Sequence, residues 1–239
     1  MSFPGLRLPV RRRGSEEAEK PFWISFSDLM TALMVLFLVA MTVALLAITH
    51  DISESERQKT EREEEISQLL AHLQQVARDF PGVAMRGPTI DFGERARFDT
   101  DSHRLKEDEA SLLRRFVPRV LQLARDPLGE RWLKRVSVEG FADARGSYLH
   151  NLNLSLQRSE RVLCALLAPA GVPDALSADD RRLVREIFLV SGASFNALKA
   201  SPEASRRIEL KLEFLERGEA RSPRLAGNDE DTRCPLDYR

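Results

Sequence analysis

Residues 29–48 read LMTALMVLFLVAMTVALLAI, a run of 20 residues with no charge, in which only Thr31 and Thr42 are polar. A hydrocarbon core of ~30 Å needs about 20 helical residues at ~1.5 Å each. The run therefore predicts a transmembrane helix, placed over residues 21–48. The apolar region of a signal peptide is shorter, about 7–15 residues, and Ile48-Thr49-His50-Asp51 is a poor cleavage site. A core helix of a soluble domain is rarely apolar on every face for this length.

Flanking charge predicts orientation. Arg7, Arg11, Arg12, Arg13 and Lys20 precede the run; Arg57, Lys59 and Arg62 follow it among acids. Basic residues favour the cytoplasmic side. The expectation is a cytoplasmic tail over 1–20 and an exported remainder, in a bacterial periplasm. The whole chain balances 36 Lys+Arg against 37 Asp+Glu, for a net −1. That balance gives no basic footprint for nucleic acid.

Beyond the span, residues 51–80 hold neither Gly nor Pro, so the helix is expected to continue as a linker over 49–82. Ile66, Leu69, Leu70, Leu73 and Val76 recur at helical spacing as a narrow stripe. Such a stripe pairs with a second copy of the chain or packs on the chain's own C-terminal domain; pairing is the favoured expectation. From Pro81 the composition becomes globular, and a domain is expected over 83–216. Its predicted elements are a strand at Thr89–Phe92, a helix at Glu107–Ala124, a strand at Val136–Glu139, a helix at Leu149–Leu167, a short helix at Asp179–Phe188 and a strand at Ile208–Phe214. The Glu107–Ala124 helix presents Leu112, Leu113, Phe116, Val117, Val120, Leu121 and Leu123 as its core face, with Pro118 as a site for a kink or break. Strands and helices in turn indicate an α/β sandwich. Residues 217–239 read as an irregular polar tail.

Two constellations carry chemistry. The first is Asp28, beside Ser27 and one turn before Thr31. An ionised carboxylate at mid-bilayer costs ~2.5–3.5 kcal/mol on insertion scales. Asp28 either flanks the helix at the interface or faces a polar cavity and titrates. The second is Gly140-Phe141-Ala142-Asp143-Ala144-Arg145-Gly146 followed by Asn151, Leu154 and Arg158, which share one helix face. Arg158 can fork a carboxylate, Asp143 can pair with an ammonium, and His150 borders the same groove. A fold-stabilising Asp–Arg pair is the plainer alternative. No nucleophile–base triad, P-loop or His/Cys metal cluster is present, so a binder rather than an enzyme is expected, with no cofactor.

Residues 23–39, WISFSDLMTALMVLFLV, resemble the membrane segment of MotB-type stator subunits. In that family the corresponding carboxylate is the proton carrier, which implies this role for Asp28, with H⁺ as coupling ion and Na⁺ left open. The second constellation resembles the OmpA-like peptidoglycan-binding signature, with Ala142 in place of the usual Thr. Ser205-Arg206-Arg207-Ile208-Glu209 resembles the start of that fold's last strand, with Ser205 in place of Asn. The stretches EEAEKPFWIS (16–25), EGF (139–141), GSYLHNL (146–152) and EASRR (203–207) resemble the ZorB family of Zorya anti-phage defence. This resemblance implies a complex of two such chains with a ZorA-like membrane pentamer and a proton-driven rotation. The OmpA-like resemblance implies peptidoglycan binding at Asp143, Asn151, Leu154 and Arg158, with His150 bordering the same groove. A flagellar stator and a passive membrane-to-wall anchor are the alternatives.

Cys164 and Cys234 are the only cysteines. Both fall on the side expected to be oxidising, where a disulfide between them is favoured. An intermolecular bridge and two free thiols are the other options.

Overall fold

The computed structural model describes residues 19–221 and 233–238. The cytoplasmic tail expected over 1–20, with Arg7 and Arg11–Arg13, lies outside them apart from its last two residues, as does most of the expected 217–239 tail. The chain forms two compact units, residues 1–61 and 62–239. Helix α1, Glu19–Ala77, runs through the boundary.

In the first unit the helix is long and apolar enough to cross a membrane, with mean hydropathy 2.7 in its most apolar window and none of that window buried against protein. A helix satisfies its backbone internally, which lipid demands. Its hydroxyls follow suit: Thr31 Oγ1 donates to the Ser27 carbonyl at 2.8 Å and Thr42 Oγ1 to that of Leu38 at 2.7 Å. Asp28 is exposed on this helix. The hydroxyl of Thr31, one turn on from Asp28, is thus engaged with the Ser27 carbonyl.

The second unit is a five-stranded sheet in the order β1-β2-β5-β3-β4. The strands are β1 Ala84–Arg86, β2 Thr89–Asp91, β3 Leu133–Gly140, β4 Phe188–Gly192 and β5 Ile208–Phe214. All neighbours are antiparallel except β3 and β4. Helices α2 (Glu107–Arg125), α3 (Pro127–Trp132), α4 (Tyr148–Leu166), α5 (Ala178–Ile187) and α6 (Pro202–Ser205) complete it. The β3–α4–α5–β4 passage is the crossover that parallel neighbours require. Strand β5 alternates as expected, with Ile208, Leu210 and Leu212 buried and Lys211 exposed between them. The expected face of α2 is buried throughout. Phe116, at its centre, meets Phe80 and Phe92 edge to face at 5.2 and 5.5 Å. Pro118 does not split the helix.

Two expectations need correcting. The stripe on the linker is not a free dimerisation face. Leu69 and Leu73 are 3% and 1% exposed and belong to the same core as Phe116 and Leu121. The domain also begins earlier than residue 83, because the last turns of α1 are built into it. Arg62 donates twice to the Leu215 carbonyl, at 3.0 and 2.9 Å, and Glu65 accepts from Trp132 and Arg131. Burying two leucines is worth about 1.5–3 kcal/mol each, which favours the domain's own core over an open stripe.

Helix α4 approaches the sheet through two paired glycines, Gly140 on β3 and Gly192 on β4. A Cβ on Gly140 would lie 2.0 Å from the Ser155 carbonyl oxygen, and one on Gly192 would lie 2.5 Å from Ser155 Oγ. That closeness lets Ser159 donate to the Ser191 carbonyl at 2.6 Å and Ser155 accept from the Ser194 amide at 3.1 Å. Gly140→Ala therefore overpacks this contact and is expected to cost about 3 kcal/mol. Its thermal midpoint should fall by about 6–12 °C for a unit of this size, measured by circular dichroism.

Candidate functional site

The segment after β3 leaves the sheet and turns back into α4. Gly146 holds a φ of +91°, open to glycine without strain. Asp143 Oδ1 accepts from the Arg145 amide at 3.0 Å, and Asn151 Nδ2 donates to the Arg145 carbonyl at 2.7 Å. Ser147 caps α4 by accepting from the His150 amide at 3.3 Å. The turn thus places Asp143 beside the first turns of α4.

Arg158 is fully buried, at 0% exposure. It donates to the carbonyls of Ser102, Phe141 and Asp99 at 2.9, 2.7 and 3.1 Å, and its guanidinium sits 5.0 Å from the Phe98 ring centre. These bonds engage three of its five N–H groups. Burial, then the charge of Arg206, pulls its pKa down to about 10, against the pull of Asp143 and Asp101. It therefore remains a cation at neutral pH.

Asp143 is buried against Arg206, whose Nη1 donates to Oδ2 at 2.8 Å; Arg145 Nη2 reaches the same oxygen at 3.2 Å. Burial pushes the Asp143 carboxyl up, but the Arg206 bond, the Arg145 amide and the Arg145 charge outweigh it and hold the pKa below its ordinary value. Arg206 in turn donates to the Phe98 carbonyl at 3.0 Å. At the rim, His150 Nε2 lies 2.7 Å from Asp101 Oδ1, with both side chains exposed.

These groups line one cavity of about 230 Å³ with Thr100, Gly146, Asn151 and Leu154. All five residues expected to bind, Asp143, His150, Asn151, Leu154 and Arg158, meet there. Their duties differ from the simplest expectation. Asn151 holds the turn, Leu154 is a buried wall, and Arg158 is a floor post already bonded to protein carbonyls. Asp143 already has two cationic partners. Only His150 of the five is exposed. Arg206, Arg145, Asp101 and Thr100 were not singled out from the sequence as site residues. Arg206 carried a signal, since it stands in the Arg206-Arg207 pair before β5. Asp101 carried none, because its approach to His150 spans 49 residues.

Elsewhere, Cys164 at the end of α4 is bonded to Cys234 within the same chain. Among the described residues no group of three or more His, Cys, Asp or Glu side chains is placed to hold a metal ion.

No protein-family model matches the chain. It is 44% identical over 215 residues to the Zorya protein ZorB of Escherichia coli O139:H28, covering 88% of this chain and 87% of that one. The chain belongs to the ZorB family. Three solved structures resemble parts of this ZorB-family protein. The cell wall anchor of the Pseudomonas aeruginosa type VI secretion system matches at 22% identity, covering 62% of this chain and 97% of that one, with a TM-score of 0.37. The periplasmic domain of Helicobacter pylori MotB matches at 14% identity over 57% and 90%, with a TM-score of 0.39. The peptidoglycan-associated lipoprotein of Burkholderia pseudomallei matches at 18% identity over 50% and 88%, with a TM-score of 0.33.

Within the ZorB-family cleft, removing one partner of the buried Arg206–Asp143 pair strands the other. Arg206→Ala is expected to destabilise the domain by about 3 kcal/mol, read from its urea midpoint. Because the folded Asp143 pKa is depressed, its contribution is complete above the unfolded value and is lost as pH falls through the folded one. Asp143→Asn should therefore flatten the acid limb of stability against pH below about 4, measured by the same melts across pH.

Proposed function

We propose that this ZorB-family chain is the peptidoglycan-anchored stator subunit of a proton-driven inner-membrane motor in anti-phage defence. The carrying observation is the cleft, which sets Arg206, Arg145, Arg158 and His150 beside Asp143 and Asp101 in one cavity. Peptidoglycan stem peptides present carboxylates and, where diaminopimelate occurs, an ammonium. A cleft bearing both signs suits a ligand bearing both signs. The exposed groups, His150, Asp101 and Arg145, make the direct contacts. Arg158 and Asn151 hold the walls.

Asp28 is the proton carrier in this reading. It stands at the head of a 20-residue uncharged run, where a carboxylate is costly unless it faces a partner or a polar path. The partner is a ZorA-like pentamer around two copies of this chain, with the N-terminus cytoplasmic and the domain periplasmic. The wall contact holds the subunit still while the partner ring turns. The role is mechanical and needs no enzymatic step.

Two measurements test this. Asp28→Asn keeps the side-chain shape and removes the exchangeable proton. Cells carrying it should lose phage protection at unchanged membrane levels of the protein; full protection would reduce the chain to a passive anchor. Arg145→Ala with His150→Ala removes two exposed contacts from the rim. Each hydrogen bond to a charged group contributes about 1.5–3 kcal/mol. Retention on purified sacculi should drop at least about tenfold, by co-sedimentation of folded protein; unchanged pelleting would place wall binding elsewhere.

A further inference from the structure

Loop 99–105 has two sides. On one it forms the wall cavity: the Asp99 and Ser102 carbonyls accept from Arg158, Asp101 meets His150, and Thr100 and Asp101 line the opening. On the other, His103, Arg104 and Leu105 line a separate cavity of about 370 Å³ with Arg161, Leu236 and Asp237. Those last two residues belong to the C-terminal segment 233–238, far from the loop in sequence.

That segment is fastened to α4 at two points. Cys234 is bonded to Cys164, and Asp237 Oδ1 accepts from Arg161 Nη1 at 2.6 Å. Between them Leu236 is 3% exposed. A leucine this buried in a terminal segment otherwise rich in exposed residues is seated against the fold. His103 reports the same crowding: burial, then the charges of Arg161, Arg104 and Arg158, lowers its pKa. One side of the loop therefore meets the Arg158 post, and the other faces the C-terminal segment across this shared cavity. Helix α4 supplies both the post and the two fastenings.

We propose that the C-terminal segment 233–238 is a positioning strap for the wall-binding loop, with Leu236 as the wedge that holds 99–105 against Arg158 and the Cys164–Cys234 bond as its tether. This deepens the peptidoglycan reading of the cleft and rests on it. Loop entropy gives the strap its value. A loop of seven residues with several exposed side chains loses conformational freedom on binding, and a part already held loses less. Leu236 and Cys234 act through the loop and touch no ligand.

The full-length protein, purified in detergent, provides the test. Amide hydrogen exchange is followed without ligand, and binding to sacculi containing diaminopimelate is followed by co-sedimentation. Three proteins are compared with wild type: Leu236→Ala, Leu236→Met, and Cys164→Ala with Cys234→Ala. Exchange over 99–105 should quicken about tenfold or more in Leu236→Ala and in the double cysteine variant, while β3 and β5 keep wild-type protection. Sacculus binding should weaken about tenfold in the same two proteins. Leu236→Met, which refills the seat, should restore both. Unchanged exchange at 99–105 would overturn the proposal, as would quickening that spreads over β3 and β5, since the strap would then hold the domain as a whole. If the wild-type protein fails to pellet with sacculi, the peptidoglycan reading falls, and the exchange comparison still decides whether the strap positions the loop.

Discussion

A buried guanidinium organises this domain. Arg158 carries a positive charge at zero exposure, a placement that is tolerable only when the charge is bonded on several sides. The Ser102, Phe141 and Asp99 carbonyls provide those bonds. They come from the loop before α2 and from the segment leaving β3, and the guanidinium itself comes from α4. One side chain therefore fixes three chain segments that are distant in sequence. The cavity is the gap these segments leave. Asp143 and Arg206 then form a second, nearly buried pair beside it, and Arg206 also bonds the Phe98 carbonyl at the base of the same loop. Substituting an apolar residue for Arg158 would take the donor from the Ser102 and Phe141 carbonyls and leave the Asp99 carbonyl with the Ser102 amide at 3.3 Å.

The post stands where it does because α4 lies unusually close to the sheet. Gly140 and Gly192 open the space, and Ser155 and Ser159 fill it with hydrogen bonds to the β4 side. A bulkier pair would push α4 outward and lift the guanidinium off the Phe141 carbonyl. The membrane unit obeys a different rule. Its helix closes its own hydrogen bonds, and its two intramembrane threonines donate to carbonyls on the same helix. Asp28, at its head, is exposed on the helix, and in the proposed reading its partner comes from the assembly.

Much of this was legible in the sequence because the signals are local. Twenty uncharged residues identify a span without reference to anything else. The alternation of β5 and the seven apolar positions of α2 follow from periods of two and 3.6. The spacing of Asn151, Leu154 and Arg158 placed three cavity residues on one helix face. What was missed is long-range or aperiodic. Strand β1 has three residues, and β4 follows α5 with no turn signal between Ile187 and Phe188. The Ile66–Val76 stripe has the same pattern whether it meets a second copy or its own domain, and only the burial of Leu69 and Leu73 decides. Arg206 and Asp101 reach the site across 63 and 49 residues from their partners. No spacing rule gives those contacts. The sequence also could not show that Arg158 would be occupied by backbone carbonyls and so serve as a post rather than a free fork.

The claim that the charged cleft receives a peptidoglycan stem is tested most directly by watching its residues during binding. The protein, labelled with ¹⁵N at glycine, asparagine and histidine, is titrated in detergent with a diaminopimelate-containing stem tripeptide and followed by NMR. Signals of the Gly146 amide, the Asn151 side-chain amide and the His150 ring should shift together with one saturable dissociation constant, while Gly218 and Asn196 stay in place. Shifts confined to residues away from the cleft, or none at saturating peptide, would contradict the account.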